Sequence, residues 1–373
     1  MSKNKKYKIL ISGGGTGGHI FPAVAIANGL KDRLHPDVEI LFVGAKGRME
    51  MEKVPRAGFD IVGLWISGIQ RRMTLKNLLV PLKLISSLWR AGRIVKSFQP
   101  DVVVGTGGYA SGPLLRAASS KRVPTLILEQ NSYPGMTNKW LGKTVQVICT
   151  AYEGMEKYFP KEKIVLTGSP VRKMIREMKV EKEEARKFFK LEKDRFTLLI
   201  VGGSQGARNM NIAIATQMEQ LLASGVQIIW QTGKPSVALA RKSTVNSKFR
   251  DRVQIFDFIH EMDRAYAAAD LIVSRAGAIA IAEIVEVNKP AIFVPLPTAA
   301  EDHQTRNAKA LADKDAALLI PEKEVEQKLT GAVLRFMKDE KMGKKMRENI
   351  QQFSHGGNAT DKIVEEVIKL INQ

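Results

Sequence analysis

The chain is poor in the residues that most sharply mark a metal, redox or nucleic-acid site. A single cysteine, Cys149, in 373 residues excludes a disulfide framework and a cysteine-rich metal site, and its apolar surroundings read as core filling in a reducing compartment. Aromatics make up only 6% of the chain, and zinc-finger spacings, an RNP-like strand and a long basic arm are missing. Nucleic acid is therefore not expected as a partner. The one D-x-D, Asp313-Lys314-Asp315, sits where acidic pairs are solvated turn residues, and no histidine and carboxylate spacing suits a cation. No metal and no cofactor is expected. No uninterrupted apolar run reaches the ~20 residues that span a bilayer, and the basic start runs into a first strand rather than a secretion signal. Acidic residues are also scarce: 38 Asp and Glu against 58 Lys and Arg leave a formal charge of +20. That surplus calls for a polyanionic partner, and an anionic membrane or a phosphorylated substrate remain as candidates.

What the chain does have is glycine in clusters. Gly13-Gly14-Gly15-Thr16-Gly17-Gly18-His19, Gly105-Thr106-Gly107-Gly108-Tyr109 and Gly202-Gly203-Ser204-Gln205-Gly206-Ala207 each follow a strand-like apolar run. Such a turn lets backbone N–H groups approach an anion, and a helix starting beyond it adds positive partial charge. Apolar runs at 7–12, 39–43, 101–104, 124–128 and 145–149, then at 196–201, 226–231, 253–256, 271–274 and 291–294, alternate with helical-period segments. The pattern predicts an α/β chain of two Rossmann-like domains with parallel sheets. The junction falls near Thr167-Gly168-Ser169-Pro170-Val171-Arg172, giving domains at 1–168 and 169–355. The segment 356–373, with its apolar positions from 361 on, is expected to form a final amphipathic helix that returns to the N-terminal domain.

Gly13, Gly15 and Gly18 satisfy G-x-G-x-x-G, but the second strand ends Val43-Gly44-Ala45-Lys46. The carboxylate that would hold a dinucleotide's ribose is missing there, which argues against a dehydrogenase. His19, at the mouth of the first glycine loop, is a candidate general base, against the blander reading of a capping or packing histidine. Glu129 ends a strand at the edge where ligands bind and is an equal candidate for base or base-orienter, or else a structural carboxylate bonded to its own loop. In the second half, Ser274-Arg275-Ala276-Gly277 leads into a helix of small residues in which Glu283 suits ribose hydroxyls, the alternative being tight helix packing. Gln304 and Asn307, in the polar cluster after Pro297, suit sugar hydroxyls. Between Trp65 and Pro100, bases alternate with long aliphatics and a tryptophan. That segment reads either as an ordinary helix pair with its apolar faces inward, or as a membrane-surface element.

Taken together, Gly14–His19, Gly105–Tyr109 with Ser111-Gly112-Pro113, Glu129-Gln130-Asn131, Ser169–Arg172, Gly202–Arg208, Arg275–Glu283 and Glu301–Asn307 resemble glycosyltransferase family 28, the bacterial cell-wall N-acetylglucosaminyltransferases. The resemblance covers nearly the whole chain in order. It implies a GT-B fold, two Rossmann-like domains facing across a cleft, and an inverting, metal-independent transfer of GlcNAc from UDP-GlcNAc. The implied acceptor is the MurNAc C4 hydroxyl of lipid I, undecaprenyl-diphosphate-MurNAc-pentapeptide, and the product lipid II.

By the same resemblance, Gly14, Gly15, Gly107, Gly108 and Tyr109 lie at the acceptor diphosphate, and His19 and Glu129 remain the base candidates. The sugar donor is met by Thr16, Gly17, Gly18, Asn131, Arg172, Ser204, the Ile259 backbone, Ala278, Ile279, Ala280, Ile281, Ala282, Glu283 and Gln304. Arg72, Leu75, Leu79, Leu82, Lys83 and Trp89 are the expected contact with an anionic membrane on its cytoplasmic face, with other cell-wall synthesis proteins as further partners. The chain departs from the family pattern at Leu128, Ala276, Ala280 and His303, where a histidine, two hydroxyls and a glutamine are common. A diacylglycerol glycosyltransferase of the same fold is the nearest rival, disfavoured because its acceptor has no diphosphate to cradle. A non-catalytic membrane-binding protein is the rival without chemistry.

Overall fold

A computed structural model describes residues 6–68, 79–203, 206–354, 356 and 358–373. The expected site residues Arg72, Leu75 and Ser204 lie outside them. The chain divides into two compact units, Met1–Val171 with His355–Gln373, and Arg172–Ser354.

The first unit holds a parallel sheet in the order β3-β2-β1-β4-β5-β6-β7. Its strands are β1 (Tyr7–Gly13), β2 (Val38–Ala45), β3 (Asp60–Leu64), β4 (Val102–Gly107), β5 (Thr125–Glu129), β6 (Val147–Thr150) and β7 (Ile164–Leu166). The central strands are near-continuous apolar runs because both faces of the sheet are covered. Ile9 and Ile11 of β1 face one core and Leu10 the other, as the two-residue period of a strand requires. Helix α1 (Gly17–Leu34) and the terminal helix Ala359–Ile371 cover the first face. The terminal helix contributes Ile363, Val364, Val367 and Leu370 to that core, each side chain adding about 1.5–3 kcal/mol by burial. Gly29 permits the close approach of the two helices, since a Cβ there would stand 3.0 Å from Val364 Cγ2. Helices α2 (Glu50–Arg56), α3 (Val80–Phe98), α4 (Ser111–Ser120) and α5 (Met136–Leu141) complete the part of this unit that matters below.

The second unit repeats the scheme in the order β10-β9-β8-β11-β12-β13. Its strands are β8 (Thr197–Val201), β9 (Gln227–Gln231), β10 (Val253–Phe256), β11 (Leu271–Ser274), β12 (Ala291–Phe293) and β13 (Leu318–Leu319). Helix α6 (Arg208–Ala223) packs Met210, Ile214, Met218 and Leu221 against Leu198, Ile200 and the fully buried Trp230. Helices α7 (Met262–Ala268), α8 (Ala278–Glu286) and α9 (His303–Ala312) follow.

The apolar pattern misses β3 and β7. Both are short edge strands, with only the end of β3 buried and β7 half-buried throughout, so neither leaves the continuous apolar signature of a central strand. In each sheet the strand order reverses beside the first strand of its unit, between β1 and β4 and between β8 and β11. Ligands of open α/β sheets bind at the carboxyl ends of the strands at such reversals. The glycine loops follow β1, β4 and β8, and Ser274–Gly277 follows β11, so these four motifs converge on the two switch points.

Candidate functional site

None of the helices that start beside these switch points, α1, α4, α6 and α8, carries an acidic residue in its first turn. Acidic residues are the usual neutralisers of a helix N-terminus. Their absence leaves the positive helix ends to an anionic ligand.

At the first switch point the glycine loop is more occupied than its sequence implies. Gly14 N–H donates to Gly107 O (3.3 Å), and Gly15 N–H donates to Glu50 Oε2 (2.9 Å). Both N–H groups, of residues expected at the acceptor diphosphate, are thus engaged inside the protein. The donors at this edge are instead at the start of α1, after Thr16 in extended conformation. Helix geometry leaves the N–H groups of Gly17 and Gly18 without a carbonyl one turn back. The second loop lies directly on the first. Gly107 and Gly108 have φ of 105° and 91°, and a Cβ on Gly108 would fall 2.4 Å from Gly14 O; only glycine serves there. Tyr109 follows, half exposed.

His19 is half-buried in the first turn of α1. Its Nδ1 lies 3.0 Å from Gly14 O, and since a carbonyl can only accept, Nδ1 carries the proton and Nε2 is the proton-accepting nitrogen of the neutral ring. The ring lies against Gly107, where a Cβ would stand 2.9 Å from Nε2. His19 O accepts from Thr106 Oγ1 (2.7 Å), tying α1 to the second loop.

Glu129 is 2% exposed, and its two oxygens accept four hydrogen bonds. Oε1 takes Asn131 N–H (3.0 Å) and Asn131 Nδ2 (3.1 Å), while Oε2 takes Gly135 N–H (3.0 Å) and Asn138 Nδ2 (2.9 Å). The carboxylate thus shapes the 129–138 loop and presents Asn131. Gln130 compensates for Pro22 inside α1. A proline there has no N–H for Gly18 O, and Gln130 Nε2 donates to that oxygen instead (2.8 Å), while its own Oε1 accepts from Ser169 Oγ (3.0 Å).

In the second unit, Arg172 and Glu283, expected as separate contacts to the sugar donor, bind each other. Arg172 donates through Nε and through Nη2 (2.7 Å) to the Glu283 carboxylate, a bidentate pair joined by Tyr266 OH (3.1 Å). Glu283 is buried, whereas about a third of the Arg172 side chain is exposed (35%). Burial works against the Arg172 charge, but the Glu283 carboxylate more than offsets it and holds the guanidinium above its ordinary value. Burial and the neighbouring carboxylate push the Tyr266 phenol well up. Ile259 N–H donates to Gln231 Oε1 (2.9 Å), so of the expected backbone contact only the carbonyl remains. Ala278, Ile279, Ala280 and Ala282 are half-buried along α8, while Ile281 is buried. Gln304 Oε1 accepts from Leu296 N–H (2.9 Å), which makes Nε2 its donor end. Behind α8, Arg275 pairs with Glu322 and donates to Val294 O and Pro295 O (both 3.2 Å), anchoring the turn before the helix.

Helix α3 reverses the arrangement expected of a helix with inward apolar faces. It buries the small Ser87, Ala91 and Val95 and exposes Leu82 (58%), Ile85 (65%) and Trp89 (61%), with Leu79 just before it also exposed. Bases lie among them: Arg93 stacks 3.5 Å over the Trp89 ring, and Lys83 donates to Ser67 Oγ (3.0 Å) beside Trp65. No helix among the described residues is long and apolar enough to cross a membrane. Among the same residues, no group of three His, Cys, Asp or Glu could hold a metal ion.

The sequence pattern singles out neither Glu50 nor Tyr266. A carboxylate five residues past the end of β2 lies outside any dinucleotide spacing, and a tyrosine in an alanine-rich helix reads as core.

The glycosyltransferase family 28 N-terminal domain matches residues 9–150, and the family's C-terminal domain matches residues 197–361. A UDP-N-acetylglucosamine–N-acetylmuramyl-(pentapeptide) pyrophosphoryl-undecaprenol N-acetylglucosamine transferase of Cytophaga hutchinsonii is 52% identical, over 100% of this chain and 99% of its own. The protein of the same name from Parabacteroides distasonis is 50% identical, over 99% and 100%. Among solved structures, Acinetobacter baumannii MurG superposes with a TM-score of 0.77 at 29% identity, over 97% of this chain and 99% of that one.

Proposed function

The chain belongs to glycosyltransferase family 28, and from that premise we propose that it transfers N-acetylglucosamine from UDP-GlcNAc to the MurNAc sugar of undecaprenyl-diphosphate-MurNAc-pentapeptide, the last glycosyl addition before the disaccharide lipid of peptidoglycan. The observation that carries this reading is the 52% identity, end to end, with a transferase of that name.

The N-terminal unit takes the lipid diphosphate at the Gly107-Gly108 turn and at Gly17 and Gly18, which the resemblance alone assigns to the sugar donor. His19 Nε2 accepts the proton of the attacking C4 hydroxyl, and the oxygen displaces UDP from the anomeric carbon with inversion. The C-terminal unit takes UDP-GlcNAc: Glu283 and Arg172 serve the nucleoside, the N-terminal turn of α8 and Ser204 the diphosphate, and Gln304 the sugar. Negative charge on the departing diphosphate is stabilised by main-chain N–H groups and a helix end. Glu129 serves as a positioning residue for Asn131 rather than as the base, because both of its oxygens are committed to the loop it shapes.

The exposed Leu82–Ile85–Trp89 strip with its bases suits a peripheral docking on the anionic cytoplasmic leaflet, where the acceptor resides. Apolar side chains enter the headgroup boundary, and each base near an anionic surface adds about 1 kcal/mol. The test is UDP release from UDP-GlcNAc with a lipid I analogue, with and without EDTA. Turnover dependent on the lipid and indifferent to chelator is expected; none with the lipid removes the assignment.

A further inference from the structure

We propose that Glu50 is a positioning residue for His19 and acts on it through one peptide group. Gly14 O and Gly15 N–H belong to the same peptide unit. The carbonyl accepts the His19 Nδ1 proton at 3.0 Å, and the N–H donates to Glu50 Oε2 at 2.9 Å. Carboxylate, peptide and imidazole thus form one hydrogen-bonded chain, in which each bond polarises the next. The Glu50 charge makes Gly14 O a stronger acceptor. That fixes the proton on Nδ1, turns Nε2 toward the substrate hydroxyl, and stabilises the imidazolium formed when that proton is taken.

The slot for this carboxylate is purpose-shaped. Glu50 is 0% exposed, and its other oxygen accepts Ala45 N–H at 2.9 Å at the end of β2. A Cβ on Gly14 would fall 2.2 Å from Glu50 Oε1, and one on Gly44 2.6 Å from Glu50 Cγ, so both glycines make room for it. Among the described residues no cation forms an ion pair with Glu50. Burying a carboxylate on main-chain donors alone is costly compared with an apolar side chain of the same volume. The slot also lies where a dinucleotide-binding sheet would seat a ribose, between the first glycine loop and the end of β2.

The other titratable groups on the elements around His19 are placed differently. Glu129 is engaged by four donors of its own loop, and Tyr109 is half exposed. Lys31, Asp32 and Arg33 are at the far end of α1. Lys46, Arg48, Glu52 and Arg56 around α2 and Arg116 on α4 are exposed, with Lys53 half-buried.

The proposal rests on His19 being the base, and its test separates the two. Glu50→Gln keeps the shape, removes the charge, and sets an amide NH2 against one of the two N–H donors. The expected result is a His19 titration, followed by NMR, displaced about half a unit to one unit to lower pH. The acidic limb of the kcat profile should move with it and kcat should fall about tenfold, while the UDP-GlcNAc KM is held. A folded E50Q protein with unchanged His19 titration and kcat overturns the proposal. So does a wild-type His19 whose neutral ring carries its proton on Nε2, a measurement that stands even where E50Q fails to fold. A displaced titration in a protein that turns over no lipid acceptor keeps the coupling and removes the reaction.

Discussion

Glu129→Gln separates a base from a scaffold, because the two roles have opposite signatures in stability. The carboxylate accepts four hydrogen bonds, two on each oxygen, at 2.9–3.1 Å in a site 2% exposed. Glutamine is isosteric but has one accepting oxygen. Whichever way it turns, its NH2 faces two donors, either those of Asn131 or those of Gly135 and Asn138. Each buried donor left unsatisfied costs about 1–3 kcal/mol, so the two together should cost E129Q about 2–6 kcal/mol. Urea unfolding of the two proteins reads this as a lower midpoint at unchanged slope. In the folded enzyme kcat should fall by no more than about tenfold, well short of the 10²–10⁴ that a general base contributes. An E129Q protein with the wild-type midpoint and a kcat lower by about a thousandfold or more would make Glu129 the base and refute the argument.

The remaining predictions concern other parts of the chain. Arg172→Ala leaves the buried Glu283 without its bidentate partner; isothermal titration should show weaker UDP binding, and thermal melting a loss of about 2–4 kcal/mol, scaled down from a fully buried pair because Arg172 is partly exposed. Trp89→Glu combined with Leu82→Glu should reduce sedimentation with phosphatidylglycerol vesicles by about tenfold or more while leaving UDP-GlcNAc binding intact; unchanged sedimentation would remove α3 as the docking face. Lys289, whose ammonium donates to Ala267 O and Ala269 O, is lowered by burial to about 8 from 10.5. Between those values the unfolded chain holds more protons than the folded one, so the burial penalty is in force below pH 8 and is relieved as pH rises toward 10.5. The wild-type minus Lys289→Met difference in unfolding free energy from urea titration should therefore grow in favour of wild type across that window, by at most about 3 kcal/mol; a flat difference would show that Lys289 is not the group responsible.

The two α/β units were legible from the alternation of apolar runs with helical periods, since a strand covered on both faces must be apolar throughout. The edge strands β3 and β7 were not, because an edge strand is half solvated and its composition is correspondingly mixed. His19 and Glu129 were readable as candidates from their places at the carboxyl edge of the sheet, but that all of Glu129's accepting capacity is taken up by its own loop depended on partners up to nine residues away. The outward apolar face of α3 was open to two readings, because an amphipathic period shows that a helix has two faces and not which one the sheet covers.

The sequence by itself determined the parts that depend on local chemistry: glycine where the backbone turns left-handed or passes close to another loop, apolar runs where strands are buried, and helix starts without acidic side chains where anions are expected. Tertiary structure alone decided which N–H groups are already satisfied. Gly15 donates to a glutamate 35 residues away, Arg172 closes on a carboxylate 111 residues away, and Gln130 reaches back 112 residues to the carbonyl that Pro22 leaves open. Hydrogen bonds saturate, each donor proton having essentially one acceptor, so a site's chemistry is fixed by what the fold leaves over, and that remainder is set by contacts no local pattern encodes.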